Sequence, residues 1–161
     1  SKIVNPMYHL PLDMIQTIIQ TIPLLIEKGT IDSVNSIVES ILLHKQTTEV
    51  FLDSGILDWF YLTIASDQID LNRVVAIVKV LRLCRQHQCP IMIPPSVLQF
   101  LESKDDDLVY ETLVLLNEIQ STQADLIQIA LPTIECLADD SKGFIRSVAI
   151  EILRVINSSE G

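Results

Sequence analysis

Residues 59–67 read Trp-Phe-Tyr-Leu-Thr-Ile-Ala-Ser-Asp, an apolar stretch that runs directly into a polar turn. The same arrangement occurs at residues 97–105, Val-Leu-Gln-Phe-Leu-Glu-Ser-Lys-Asp, and at residues 133–141, Thr-Ile-Glu-Cys-Leu-Ala-Asp-Asp-Ser. We interpret each copy as the end of a helix followed by a Ser/Asp-rich turn. Internal repetition of this kind indicates a fold built by stacking copies of one helical unit.

A second apolar stretch follows each turn, at residues 71–84, 108–119 and 144–156. If Leu81, Leu116 and Leu153 are equivalent, successive copies are offset by 35 and 37 residues. These offsets lie within the range of about 33 to 47 residues that is typical of helical repeats. Each copy is therefore predicted to be a helical hairpin.

A fourth copy fits at the start of the chain, where residues 13–27 lead through Lys28, Gly29 and Thr30 into residues 31–44. Gly29 suits the left-handed position that ends a helix. In the second helix of every pair, apolar residues recur at helical spacing and predict one buried stripe. The stripe residues are Val34, Ile37, Val38, Ile41 and Leu42; Val74, Ile77, Val78 and Leu81; Val109, Leu113, Leu116 and Ile119; and Ile145, Val148, Ala149, Ile152, Val155 and Ile156.

Polar residues and prolines predict where the helices begin. Side-chain oxygens that can accept free helix-start amides stand at Thr30 or Asp32, Asp70, Asp107 and Ser141. Pro90, Pro94 and Pro95 break the chain between the second and third hairpins, with Pro95 suited to a first helical turn. Pro23 and Pro132 predict kinks or late helix starts.

Residues 50–60 read Val-Phe-Leu-Asp-Ser-Gly-Ile-Leu-Asp-Trp-Phe. This segment resembles the short first helix of an armadillo repeat, with a small-residue and glycine corner before a second helix that begins with two apolar residues. Residues 69–84 resemble the long third helix, which lines the concave binding groove in that family. The third and fourth copies have residues 89–94 and 124–131 where a short helix would lie, and they are equally similar to HEAT repeats.

The predicted fold is all-α, a right-handed α-α superhelix of the armadillo or HEAT type with about four hairpin repeats. We expect one domain over residues 1–161, with approximate repeats at 11–45, 46–88, 94–121 and 124–158. The resemblance implies a noncatalytic adaptor or scaffold that binds a peptide or a partner helix on its concave helix surface. Trp59 falls on a second helix, and Asn72 and Asn117 are not in matching positions. Nuclear-import adaptors of this family have Trp and Asn ladders on their third helices, so binding of import signals is disfavoured.

Composition narrows the class of partner. The net charge of −10 would repel phosphate backbones, so a nucleic-acid partner is not expected. No apolar run reaches the about 18 to 20 uncharged residues of a membrane span. The three cysteines, an odd number, and the lack of a signal-peptide pattern predict an intracellular, cytoplasmic protein. The chain lacks an initiating Met, which suggests a trimmed chain or a fragment.

Three residue sets could carry chemistry, but each has a stronger structural interpretation, and we predict a noncatalytic protein without a cofactor. Cys84, His87 and Cys89 could begin a zinc site, with Cys136 or His44 as a fourth ligand, but buried cysteine is the stronger interpretation. The acidic runs at residues 105–107 and 139–140 suit helix starts better than cation binding. No nucleophile elbow or phosphate loop accompanies the three histidines, which are His9, His44 and His87.

The predicted binding surface is charged and lies on the third helices. Its basic part is a set on one helix, Arg73, Lys79, Arg82 and Arg85, extended by Arg146 and Arg154 from the last unit and suited to acidic peptide segments. The remaining candidates are Glu111, Glu118, Glu151 and Trp59, the last as an exposed aromatic that could dominate binding. The alternatives are a structural fragment of a larger helical solenoid and a metal-dependent enzyme.

Overall fold

The computed structural model describes residues 10–66, 70–140 and 143–160. Over these residues the chain forms nine α-helices and one 3₁₀ helix, and the described residues contain no β-strand. The chain divides into two compact units, Ser1–Ile91 and Met92–Gly161. The prediction of an all-α protein is confirmed, while the prediction of one domain with those repeat bounds stays a prediction.

Six helices make up the described part of the first unit. They are α1 (Leu12–Gln20), α2 (Ile22–Glu27), α3 (Ile31–Leu42), α4 (Lys45–Asp53), α5 (Ile56–Ile64) and α6 (Leu71–Gln86). The two longest, α3 and α6, pack against each other, α2 contacts both, and α4 contacts α1, α3 and α5. The core of this unit includes four fully buried isoleucines and phenylalanines, which are Ile15, Ile41, Phe51 and Phe60. Aliphatic and aromatic packing therefore stabilises the unit.

Residues 13–27 form two helices where the sequence predicts one. The break falls at Thr21, and Pro23 occupies the first turn of α2, as expected for a late helix start. Gly29 has φ +79°, which confirms the predicted left-handed helix end. The predicted cap of α3 is wrong, because the hydroxyl of Thr30 donates backward to the Leu25 carbonyl (2.9 Å) and no side chain caps the helix.

The corner that separates α4 from α5 has the predicted geometry. Gly55, with φ +86°, stands immediately before α5, where a residue with a Cβ would be strained. Asp70 caps α6 as predicted, because its Oδ1 accepts from the backbone amides of Asn72 (3.0 Å) and Arg73 (3.3 Å). Ile69, the predicted first residue of that helix, lies outside the described residues.

The second unit contains the 3₁₀ helix (Pro95–Glu102), α7 (Asp106–Ile119), α8 (Ala124–Asp140) and α9 (Gly143–Glu160). The 3₁₀ helix begins at Pro95, as predicted. Asp105 caps α7 by accepting from the Leu108 amide (3.2 Å), so the predicted cap at Asp107 is two residues late. Pro132 lies inside α8, which runs without a break, and Ser141 is outside the described residues.

The segment before the 3₁₀ helix is extended. Its backbone is bound at Ile93, whose amide donates to Gln123 Oε1 (2.8 Å) and whose carbonyl accepts from Gln123 Nε2 (2.9 Å). Gln123 therefore satisfies both polar groups of one residue, as a neighbouring strand would. This pairing holds the extended chain where a first repeat helix would otherwise lie.

The predicted stripes are buried on three of the four long helices. The stripe residues of α6 and α7 are all buried, and α3 has only Ile37 partly exposed. On α9, Ala149 and Ile152 are buried, whereas the other four, Ile145, Val148, Val155 and Ile156, are half-buried. The α9 stripe therefore faces α7 and α8 with incomplete cover.

Candidate interaction surfaces

The four basic residues of α6 do not share one face. Lys79 and Arg82, three positions apart, lie about 60° from each other around the helix and are both half-buried on its outer strip. Arg73 lies about 180° from Arg82 and within about 20° of Val80, which is fully buried. The Nε atom of Arg73 is itself buried and has no hydrogen-bond partner. Lys79 and Arg82 therefore share the outer strip of α6, while Arg73 leaves the helix on the opposite side.

Arg85 holds the chain that follows α6. Its Nη1 donates to the Cys89 carbonyl at 2.8 Å. The amide of Cys89 donates to the Cys84 carbonyl (3.0 Å), and that of Gln88 donates to the Arg85 carbonyl (2.9 Å), which is the hydrogen-bond pattern of a Schellman motif. Gln88 takes the left-handed position with φ +62°. Since Arg85 supports this turn, its guanidinium is not a simple surface charge.

Cys84 and Cys89 are both buried, and neither forms a disulfide. The pKa of the Cys84 thiol is raised because it donates a hydrogen bond to Cys89 and is desolvated. The same hydrogen bond lowers the pKa of Cys89, against the opposing effect of burial, and the charge of Arg85 adds to the lowering. His87 instead faces Glu39, with Nε2 and Oε2 3.9 Å apart. Within residues 10–66, 70–140 and 143–160, no group of three or more His, Cys, Asp or Glu is placed to hold a metal ion.

The aromatic cluster of α5 is only partly exposed. Phe60 is fully buried and meets Trp59 edge to face, with ring centroids 5.8 Å apart. Trp59 and Tyr61 are half-buried on either side of it. The most exposed apolar side chain of this helix is Leu62, at 73%. Sequence reasoning placed the exposed contact at an aromatic and missed this leucine.

The charged residues predicted on α7 and α9 have different surroundings. Glu111 is 8% exposed, whereas Glu118 is exposed on the outer strip of α7. On α9, Nε and Nη2 of Arg154 donate to the two carboxylate oxygens of Glu151 at 3.1 and 2.6 Å, and this hydrogen bonding raises the pKa of Arg154. Arg146 is exposed on α9 as well. Glu151 and Arg154 therefore partly neutralise each other.

The structure brings together a second set that the sequence did not indicate. Phe144, in the first turn of α9, is 80% exposed and meets Tyr110 of α7 edge to face, with ring centroids 6.1 Å apart. The two rings belong to a groove of about 540 Å³ that we call the α7–α9 groove. Its lining residues are Asp106, Asp107, Tyr110, Glu111, Gly143, Phe144 and Ile145.

On the helical wheel Phe144 lies at the edge of the α9 stripe, about 20° from Val155 and about 40° from Val148. Its spacing therefore does not distinguish it from the buried and half-buried residues of that stripe. Its contact with Tyr110 depends on how α7 and α9 pack and likewise has no local signal.

A comparison with solved structures identifies the class of fold. The chain is similar to a computationally designed armadillo repeat protein for modular peptide recognition, with a TM-score of 0.60 and 12% sequence identity. The match covers 89% of this chain and 68% of that one. No family model and no curated protein sequence matches. The chain has an armadillo-like helical-repeat fold, an α-α solenoid, as the sequence predicts.

Within the described residues, every helix falls short of the length and apolarity that a transmembrane span requires.

Proposed function

We propose that this protein is a noncatalytic protein-binding module, an adaptor or scaffold that holds a peptide or a partner helix on the outer faces of its long helices. The observation that carries the proposal is the α7–α9 groove, where Phe144 is 80% exposed beside Tyr110. Exposed aromatic residues in a concave site are the kind that dominates protein interfaces. The peptide recognition for which the similar armadillo protein was designed supports the same function.

A second surface on α6 fits the same function. Lys79 and Arg82 stand together on the outer strip of that helix, in a chain whose net charge is −10. Charge complementarity suits them to an acidic segment of a partner. Trp59, Glu118 and Arg146 remain further candidates for contact. The acidity of the chain supports a protein rather than a nucleic acid as partner, and its unpaired cysteines support a cytoplasmic location.

Selection from a random peptide library displayed on phage tests this proposal. The full chain is immobilised, and the enriched peptides are compared with those from a Phe144→Ala variant and a Lys79→Glu/Arg82→Glu variant. We expect wild type to enrich related sequences, and each variant to lose the group that depends on its surface. Absence of any enriched group with wild type would overturn the proposal.

A separate observation favours the alternative, a mainly structural role within a longer solenoid. Ile129 of α8 is 67% exposed and Ile150 of α9 is 45% exposed, and the α9 stripe is half-buried. Such apolar surface suits packing against another helix. An Ile129→Lys/Ile150→Lys variant separates the two roles: unchanged peptide selection assigns these side chains to packing, and lost selection assigns them to recognition.

A further inference from the structure

We propose that the α7–α9 groove binds an arginine side chain from a basic segment of a partner protein. This inference rests on the proposed function and specifies the chemistry of its ligand. Three features of the groove carry it: its carboxylates, its two aromatic rings and its size.

Three carboxylates line the groove. Asp106 and Asp107 are exposed, and Glu111 is 8% exposed. Asp107 and Glu111 stand four residues apart on α7, which places them on the same face of the helix. Among the described residues neither Asp106 nor Asp107 has an ion-pair partner. The groove is therefore suited to a cation.

Helix electrostatics oppose this effect only in part. The groove lies at the N-terminal ends of α7 and α9, and each end carries about half a positive charge. The charges of the two exposed carboxylates, Asp106 and Asp107, exceed these two partial charges. First-turn acidic residues are common for helix stability alone, but that explanation does not account for an aromatic ring left 80% exposed beside them.

The aromatic rings favour a guanidinium over other cations. Tyr110 and Phe144 are inclined by 64°, so a planar group stacked on one ring can meet the edge of the other. A guanidinium can stack on an aromatic face while its N–H groups bind a carboxylate in the same plane. An ammonium is a strongly hydrated point charge, and a trimethylated lysine has no N–H to donate. Arginine uses both the rings and the carboxylates.

The size of the groove indicates a segment rather than a single residue. Its volume of about 540 Å³ lies within the usual range of ligand sites, about 300 to 1,000 Å³. Neighbouring residues of the partner therefore also enter the groove, and Ile145 offers them apolar contact.

Titration of the full chain with short peptides tests the inference. The probe is a Gly/Ser peptide that carries arginines, and binding is followed by ¹⁵N NMR at residues 106–111 and 143–145. Matched peptides carry citrulline, lysine or trimethyl-lysine at the same positions. We expect the citrulline peptide to bind about tenfold more weakly, because it keeps the shape and loses the charge-assisted hydrogen bonds.

Matched variants locate the binding. Phe144→Ala removes an exposed ring, and Asp107→Asn removes one carboxylate without changing its shape. Each substitution is expected to weaken binding of the arginine peptide about five- to tenfold. The controls are Asp125→Asn, an exposed acid in the first turn of α8, and Ile129→Ala, neither of which lines the groove. Circular dichroism checks that every variant is folded.

The inference is overturned if citrulline and arginine peptides bind equally, if Phe144→Ala binds like wild type, or if the trimethyl-lysine peptide binds more tightly. These outcomes are separable from failure of the proposed function. Peptides enriched by wild type that neither contain arginine nor depend on Phe144 would leave the protein-binding function standing and remove only the arginine site.

Discussion

Tyr61 illustrates how the packing of one residue sets its chemistry. Burial raises the pKa of this phenol from 10.0 to about 12, with smaller contributions from the charges of Cys84 and Asp58. Cys84 itself favours the neutral thiol, because it is buried and hydrogen-bonded to Cys89. Two acidic groups of the first unit are thus held in their neutral forms. The fold is stabilised as long as they remain so.

The raised pKa of Tyr61 predicts a loss of stability at alkaline pH. A group whose pKa is raised by folding stabilises the protein fully at any pH below its ordinary, unfolded-state pKa. That stabilisation is lost as the pH rises through the pKa of the folded state. The window therefore runs from about pH 10 to about pH 12. The shift corresponds to at most about 2.7 kcal/mol, and solvent screening of this half-buried group reduces the expected loss to about 1 kcal/mol.

Comparison of wild type with Tyr61→Phe measures this contribution. Urea unfolding is followed from neutral pH into that window, and the free-energy difference between the two proteins should change by about 1 kcal/mol in favour of the variant. A constant offset between them from neutral to alkaline pH would contradict the prediction. Tyr110→Phe serves as the matched control.

At the scale of an element, the end of α6 shows a conflict between residue type and backbone. The Schellman pattern after this helix needs a left-handed residue, and Gln88 supplies it with φ +62°. Glycine takes this conformation readily, whereas a residue with a Cβ is strained there. The hydrogen bond from Arg85 to Cys89 helps to hold the turn in spite of that strain.

Gln88→Gly should therefore stabilise the protein by about 0.5 to 1 kcal/mol, measured as the free energy of unfolding in urea. The control is Gln128→Gly, in the exposed interior of α8, which should destabilise by about 1 kcal/mol because glycine is a poor helix former. Destabilisation by both substitutions would show that the strain at Gln88 is not relieved by glycine.

Apolar spacing predicts the long helices well, because their burial is decided by neighbours three and four positions away. The stripes of α6 and α7 are buried as predicted. The errors lie where another interaction competes. The Thr30 hydroxyl turns back to Leu25, Asp105 caps α7 in place of Asp107, and the extended chain at Ile93 is held by a residue 30 positions away. The local sequence gives no signal for that last pairing.

At the scale of the molecule, the candidate surfaces were predicted only in part. The sequence places Lys79, Arg82 and Arg85 near one face of α6, with Arg73 offset from it. In the structure Arg73 leaves the helix about 180° from Arg82, and the role of these residues in binding stays a prediction. The α7–α9 groove joins Tyr110 to Phe144 across two helices. A contact of this kind follows from packing and is invisible to periodicity.

The size of the two compact units bears on cooperativity. They contain 91 and 70 residues, and the smaller one lies in the size range, below about 70 to 80 residues, whose cores rarely supply more than about 3 to 5 kcal/mol. Because such a unit has little stability of its own, we predict that the chain unfolds in a single transition.

Trp59, the only tryptophan of the chain, lies in the first unit and makes this prediction testable. Leu116→Ala removes a fully buried side chain of the second unit, at a cost of about 2 to 5 kcal/mol. If the chain unfolds as one unit, this variant lowers the urea midpoint of Trp59 fluorescence as much as that of circular dichroism. Val38→Ala, in the first unit, is the control that must move the fluorescence in either case. An unchanged fluorescence midpoint in Leu116→Ala would mean that the two units unfold independently, because a second-unit defect would then leave the first unit's stability intact.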